Sequence, residues 1–127
     1  AADTVVVEGA EILGKPGDGL SALAMLKRLS GRRHRVLTGF CISSSLQKNA
    51  VHQISETQVL FNDVDDDVLA AYVKTGDPLD KAGSYGIQSF GGVLVREISG
   101  SYSNVVGLPL AEITKELVRL GVIVPAC

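Results

Sequence analysis

With 127 residues, 46% of them hydrophobic, the chain can bury the core of one domain and is too short for two ordinary ones. The 12 basic and 14 acidic side chains leave a formal charge of -2, which excludes the broad positive field of a protein that grips a nucleic-acid polymer but leaves room for a local basic site. No apolar run approaches the ~18 to 20 residues of a membrane span, and the opening Ala-Ala-Asp-Thr lacks a basic-then-apolar signal pattern, so a soluble, cytoplasmic protein is expected, with no membrane partner.

The β-branched run 4–7 and the apolar pair Ile12 and Leu13, separated by Glu8-Gly9-Ala10-Glu11, predict two short strands joined by a tight turn. Asp3 falls at a strand edge beside Thr4. Gly14-Lys15-Pro16 ends the second strand and would hold an ammonium at a rigid corner, where it suits a phosphate. The turn Pro16-Gly17-Asp18-Gly19 leads to a helix over 20–29 with Leu23, Leu26 and Leu29 on one stripe, stopped at Ser30-Gly31.

Arg32-Arg33-His34-Arg35 is the one basic cluster and reads as a solvated corner between helix and strand. The near-continuous apolar run 36–43 is expected as a strand buried on both faces. A polar connection over 43–49 then leads to the alternating segment 51–61, in which Ile54 and Leu60 should face inward and Gln53 and Thr57 outward; the two strands would form a hairpin. Asp65, Asp66 and Asp67 open a helix carrying Val68, Leu69, Tyr72 and Val73, where negative charge complements the dipole and metal binding is the poorer reading.

Residues 76–92, Gly-Asp-Pro-Leu-Asp-Lys-Ala-Gly-Ser-Tyr-Gly-Ile-Gln-Ser-Phe-Gly-Gly, pack charged and polar side chains between glycines. The glycines let backbone bend around a ligand, while Leu79, Tyr85, Ile87 and Phe90 are expected to anchor the loop to a core. Residues 93–98 read as a strand and 102–107 as a short polar-to-apolar segment. Pro109 begins a final helix with Leu110, Ile113, Leu117 and Leu120 as its buried stripe, ended by Gly121.

Cys41 and Cys127 form neither a metal-ligand spacing nor a disulfide framework, and with His34 and His52 as the remaining soft ligands a structural zinc site is not expected. The polar groups held by glycine or proline are Lys15, Asp77, Asp80, Lys81 and Gln88, with Asp3 at its strand edge. They suit phosphate-ester chemistry: carboxylates to hold a divalent cation or deprotonate water, lysines to neutralise phosphate oxygens, an amide to read a base edge. Neither a Walker-type phosphate loop nor a dinucleotide-binding glycine pattern is present.

Several blocks resemble the Maf family of nucleoside triphosphate pyrophosphatases: Ala2-Asp3-Thr4-Val5-Val6-Val7, Ile12-Leu13-Gly14-Lys15-Pro16, residues 30–39, Asp80-Lys81-Ala82-Gly83-Ser84-Tyr85-Gly86-Ile87-Gln88, and residues 100–110. The resemblance implies an α/β fold, a twisted mixed sheet with flanking helices, built as a single Maf-like domain over 1–127. It implies hydrolysis of a nucleoside triphosphate to the monophosphate and pyrophosphate with a divalent metal cation, Mg²⁺ or Mn²⁺. Asp3 would be the base that activates water, Lys15 and Lys81 would contact the triphosphate, and Thr4, Asp80 and Gln88 would bind substrate. The pattern is similar to the subgroup acting on dTTP and UTP; Asp77, more often Glu in the family, and Ser89, often Gly, depart from it.

Family members carry, ahead of the Ala-Asp-Thr strand, a segment with a Ser-x-Ser-Pro-Arg-Arg phosphate-binding loop that this sequence does not contain, and Arg32 and Arg33 do not lie in that motif. The expectation is an incomplete N-terminus, an exposed sheet edge and apolar face, pairing as a homodimer, and at best residual catalysis. Three functions therefore compete: an active pyrophosphatase, a nucleotide-binding module without turnover, and a self-assembling module.

Overall fold

The computed structural model describes residues 1–45 and 50–126. Residues 46–49 of the expected polar connection, and Cys127, lie outside the described residues. The elements are β1 (Ala2–Glu8), β2 (Glu11–Leu13), α1 (Gly19–Leu29), β3 (Arg33–Ile42), β4 (Val51–Phe61), α2 (Asp66–Lys74), β5 (Val95–Ser99), α3 (Tyr102–Val106) and α4 (Leu110–Arg119). Three short 3₁₀ turns, Asp77–Asp80, Ala82–Ser84 and Phe90–Leu94, shape the long loop.

The strands form one sheet in the order β2-β1-β3-β4-β5, with helices flanking it, as the α/β class requires. Each pairing is antiparallel, where a mixed sheet was expected, because two of the links are hairpins and α1 returns the chain beside β1 in the opposite direction. Gly9, at φ +60, makes the first hairpin turn. Asp18 caps α1 by accepting from the Ser21 amide at 2.8 Å, and Arg28 in its last turn binds Glu8 and Glu11, tying the helix to the β1–β2 hairpin. Asp65 opens α2 without a side-chain cap bond, leaving Asp66 and Asp67 to face the dipole.

The core gathers Leu26 and Leu29 of α1, Leu69 and Tyr72 of α2, Val6, Val36, Val59 and Phe61 of the sheet, and Tyr85 and Leu94 of the loop. Each fully buried leucine contributes about 2 kcal/mol.

Several expectations about facing are corrected. β3 begins at Arg33 and alternates: His34, Val36, Thr38 and Phe40 are buried while Arg33, Arg35 and Gly39 are exposed, so it is covered on one face and not two. Arg33 and Arg35 pair across the sheet with Glu97 and Glu56, which accounts for charges inside a strand. In β4 the phase is inverted: Ser55, Thr57, Val59 and Phe61 are buried and Ile54 is 74% exposed. Val59 and Phe61 set that phase, and it carries Thr57 to a site where α3 supplies hydrogen bonds. Of the four expected loop anchors Tyr85 is buried and Ile87 packs half-buried against the core, whereas Leu79 and Phe90 are exposed and the buried Pro78 and Leu94 take their place.

β5 begins two residues later than expected because Phe90–Leu94 curls into a 3₁₀ turn. The segment after it is helical, since Ser101 caps α3 by accepting from the Asn104 amide at 3.1 Å. Along α4 the leucine stripe is half-buried at best and Leu110 is exposed; the buried residue is Glu116, held by Gln53 at 2.8 Å and Arg119 at 2.7 Å.

Candidate active site

β2 is three residues long and pairs only with Val6, Val7 and Glu8 of β1. Among the described residues, 2–5 of β1 are therefore bonded to β3 alone, and their other edge opens onto a cavity of about 670 Å³. Successive strand residues point to opposite faces, yet at such an edge both Asp3 and Thr4 line the cavity. Asp3 is exposed and its Oδ1 accepts from the Thr4 amide at 3.0 Å. It also borders a second depression of about 700 Å³, with Gly39, Cys41, His52 and Ile54.

The Thr4 hydroxyl lies 2.9 Å from that of Thr38 and 3.3 Å from the Gly107 carbonyl. Thr38 is also 3.3 Å from the Asn104 carbonyl. Two hydroxyl protons serve these three contacts, so one is always given up and Thr4 can re-aim toward a ligand without a large cost. Asn104, fully buried, donates to the Val36 carbonyl and the Thr57 hydroxyl at 3.0 Å each, fixing α3 so that Val105, Val106 and Gly107 form an apolar wall.

Lys15 follows β2, exposed, with Pro16 buried behind it. The Gly14 carbonyl accepts from the Gly83 amide at 3.2 Å, which joins the Lys15 corner to the long loop. Gly83 has φ +72, and a Cβ there would lie 2.9 Å from a Val6 methyl, so this approach needs glycine.

Within the loop Lys81 donates to Asp77 Oδ1 at 2.7 Å, to the Asp77 carbonyl at 3.0 Å and to Asp80 Oδ1 at 3.1 Å. These contacts occupy all three ammonium protons. The Asp77 hydrogen bond is the main cause that raises the lysine's pKa, Asp80 adding to it against some desolvation. Burial pushes Asp77 upward, but hydrogen bonds from Lys81, Ser89 and Tyr72 together outweigh it and hold the carboxyl below its usual range. Tyr72 and Ser89 both donate to Asp77 Oδ2 at 2.6 Å, and the Gly86 amide donates to the Tyr72 hydroxyl at 3.0 Å. Burial, then the neighbouring Asp77, pushes the Tyr72 phenol up.

Of the residues singled out by sequence, Asp3, Thr4, Lys15, Asp77, Lys81 and Gln88 line one cavity. Asp80 does not; its side chain is 81% exposed and reaches the site only through Lys81. Sequence reasoning did not foresee Tyr72, Ser89, Thr38 or the 105–107 wall. The block around Ser101 to Gly107 was distinctive in sequence, but nothing in it named a role for Asn104.

Residues 1–120 match the Maf family, described as Maf-like protein. The chain belongs to the Maf family. Curated relatives agree: a dTTP/UTP pyrophosphatase of Desulfotalea psychrophila is 54% identical over 123 residues, 97% of this chain and 63% of the relative. One from Geobacter metallireducens is 47% identical over 94% of this chain, and one from Thermococcus kodakarensis 50% identical over 94%. This Maf chain spans 62–63% of the length of these three relatives.

Proposed function

We propose that this chain carries the site of a nucleoside triphosphate pyrophosphatase acting on dTTP and UTP. The observation that supports it is the meeting of an exposed carboxylate, two lysines and an amide around one cavity, drawn from β1, the end of β2 and the long loop. The names of the relatives support the choice of substrate.

In this reading the Asp3 side chain takes a proton from water as the water attacks the α-phosphorus. The α–β anhydride bond breaks, pyrophosphate leaves, and the nucleoside monophosphate keeps the new oxygen. Lys15 and Lys81 neutralise charge on the phosphate oxygens, the chief demand of such a transition state. The Gln88 amide offers one donor and one acceptor edge to the alternating carbonyl and N–H groups of thymine or uracil. Val105, Val106 and Ile87 cover the base, and Thr4 borders it.

Among the described residues no group of three or more His, Cys, Asp or Glu side chains gathers as a metal cage. The two carboxylates at the cavity, Asp3 and Asp77, fit a hard cation such as Mg²⁺ or Mn²⁺ held by one or two carboxylates together with substrate phosphates, Asp3 being the available one and Asp77 being engaged by Lys81. Such an ion would supply charge neutralisation at the phosphates.

A second reading, nucleotide binding without turnover, draws on Lys81: its three protons are taken by Asp77 and Asp80, so it meets the charge of the transition state only where one of them lets go, while the exposed Lys15 stays available for binding. Cytoplasmic location and a homodimer belong to the same proposal; the 65% exposed Ile12 and the exposed Ile54 support pairing, and no helix among the described residues is long and apolar enough to cross a membrane.

The test is pyrophosphate release from dTTP, UTP, CTP and a methylated guanosine triphosphate with Mg²⁺ or Mn²⁺, in the wild type and in Gln88→Ala. The reading expects dTTP and UTP to lead, and Gln88→Ala to reduce that preference by about tenfold, the worth of one well-placed hydrogen bond. Pyrophosphate release from none of them would leave the binding-only reading.

A further inference from the structure

His34 sits on β3 at 2% exposure, one residue inside a row of arginines, and its ring belongs to no surface. It meets Phe61 edge-on at 5.0 Å between centroids and Tyr85 at 5.4 Å, while Phe61 and Tyr85 meet at 4.8 Å. Three rings packed in this way fix one another's planes. Nε2 lies 2.6 Å from the Tyr85 hydroxyl, and among the described residues Nδ1 has no partner. An apolar side chain of the same volume would fill this position without leaving a buried nitrogen unpaired. What the imidazole adds is direction, because it holds the Tyr85 oxygen at one point.

Tyr85 lines the cavity and lies between Lys81 and Gln88, which line it too. The two residues before it, Gly83 and Ser84, are at φ +72 and +68. A serine in that region persists only where its surroundings hold the backbone. After it, the Gly86 amide is held by the Tyr72 hydroxyl. The segment 81–88 thus hangs from two tyrosines, and the Tyr85 hydroxyl has His34 as its partner. Burial lowers the His34 pKa to about 4 and raises that of Tyr85, so both are neutral near pH 7 and share one proton in a single hydrogen bond.

We infer that His34 is a positioning residue: through the buried hydrogen bond to Tyr85 it sets where the 81–88 segment places Lys81 and Gln88 for the nucleotide. The inference rests on the pyrophosphatase reading for its consequence in binding, though the loop's dependence on His34 stands apart from any activity.

The experiment compares the wild type, Tyr85→Phe, and the double variant His34→Leu with Tyr85→Phe. Amide hydrogen exchange at Gly86 and Ser89, relative to Val36 in the sheet, is measured without nucleotide; Tm, KM and kcat for dTTP follow. Tyr85→Phe keeps the ring and removes only the hydroxyl, and about tenfold faster exchange at Gly86 and Ser89 is expected, the loss of one buried hydrogen bond. The double variant removes both polar partners, so its Tm should return toward that of the wild type while exchange stays fast, KM stays raised through Gln88 and kcat stays lowered through Lys81, together about tenfold in kcat/KM. A purely structural role would restore exchange and KM along with Tm. Unchanged exchange in Tyr85→Phe, or wild-type exchange in the double variant, overturns the inference. If the wild type neither binds nor hydrolyses dTTP, the functional reading fails while the exchange result still decides what His34 does to the loop.

Discussion

At the end of β3 where His34 lies, the sheet meets its cover through rings: His34, Phe61 and Tyr85 interlock, joined by one hydrogen bond. Four residues along the same face, at Thr38, it meets its cover through hydroxyls and an amide: Thr4, Thr38 and Thr57 bond to one another or to α3, and Asn104 reaches back to the Val36 carbonyl. Ring packing fixes the planes of three side chains over a broad contact, and it anchors a long loop whose backbone is otherwise irregular. Hydrogen bonding is directional, and it fixes a helix of only five residues that could not stand alone. The cavity lies over both, with its polar groups on the loop side and its apolar wall on the α3 side. The contrast says that the two sides should respond to different perturbations.

Acid should strain the ring side most. The folded-state pKa of His34, about 4, lies below the ordinary 6.5, mainly through burial and against the opposing charge of Glu8. Between those values the unfolded chain takes up a proton that the folded chain refuses, so this contribution to stability is complete above pH 6.5 and is lost as pH falls toward 4. The full span corresponds to about 3 kcal/mol. Denaturant unfolding at pH 7, 6, 5 and 4 should show that decline, and His34→Leu should flatten it. Asp77, Glu8, Glu116 and Asp18, whose pKa values are lowered, lose their share only as pH falls through and below the ordinary carboxylate range, so the two windows separate. A decline of equal size in His34→Leu would mean that the ring is not the group responsible.

The hydroxyl side should respond to Asn104→Ala by a smaller amount, about 2 kcal/mol, because two buried hydrogen bonds are lost and their partners are left without replacement. Thermal unfolding checks this, with a fall in Tm of roughly 5 to 10 °C expected. If α3 is placed by these bonds, the variant should also bind dTTP less well even where it remains folded. Unimpaired binding with reduced stability would separate α3 from the site.

The ring side was legible in sequence at Tyr85 but not at His34, which read as part of a solvated basic corner and is buried. Tyr85 stood among glycines as an evident anchor, and the blocks bearing Asp3, Thr4, Lys15, Lys81 and Gln88 each carry a turn or strand signal that fixes them locally. These residues come together because β2 is short and Gly14 meets Gly83, which involves only a few backbone groups. The hydroxyl side was read wrongly at Thr57 and Ile54, because a rule that puts apolar residues inside cannot see that Asn104, 47 residues further along the chain, will satisfy a buried threonine. The same rule buried Leu110 and its neighbours on α4, where the described residues offer that stripe little to pack against. Phe90 and Leu79 failed for a related reason: the 3₁₀ turns rotate them outward and turn Pro78 and Leu94 in.

Asp3 is the exposed carboxylate at the edge of β1 that no other described strand pairs. The most direct measurement is single-turnover hydrolysis of dTTP, with nucleotide affinity determined in parallel, for the wild type and Asp3→Asn. If Asp3 is the base that activates water, turnover should fall by about 100-fold or more while dTTP binding stays within a few fold, since the amide keeps the shape and loses the proton acceptor. Turnover undiminished in Asp3→Asn would contradict the account and move the search for the base elsewhere in the cavity.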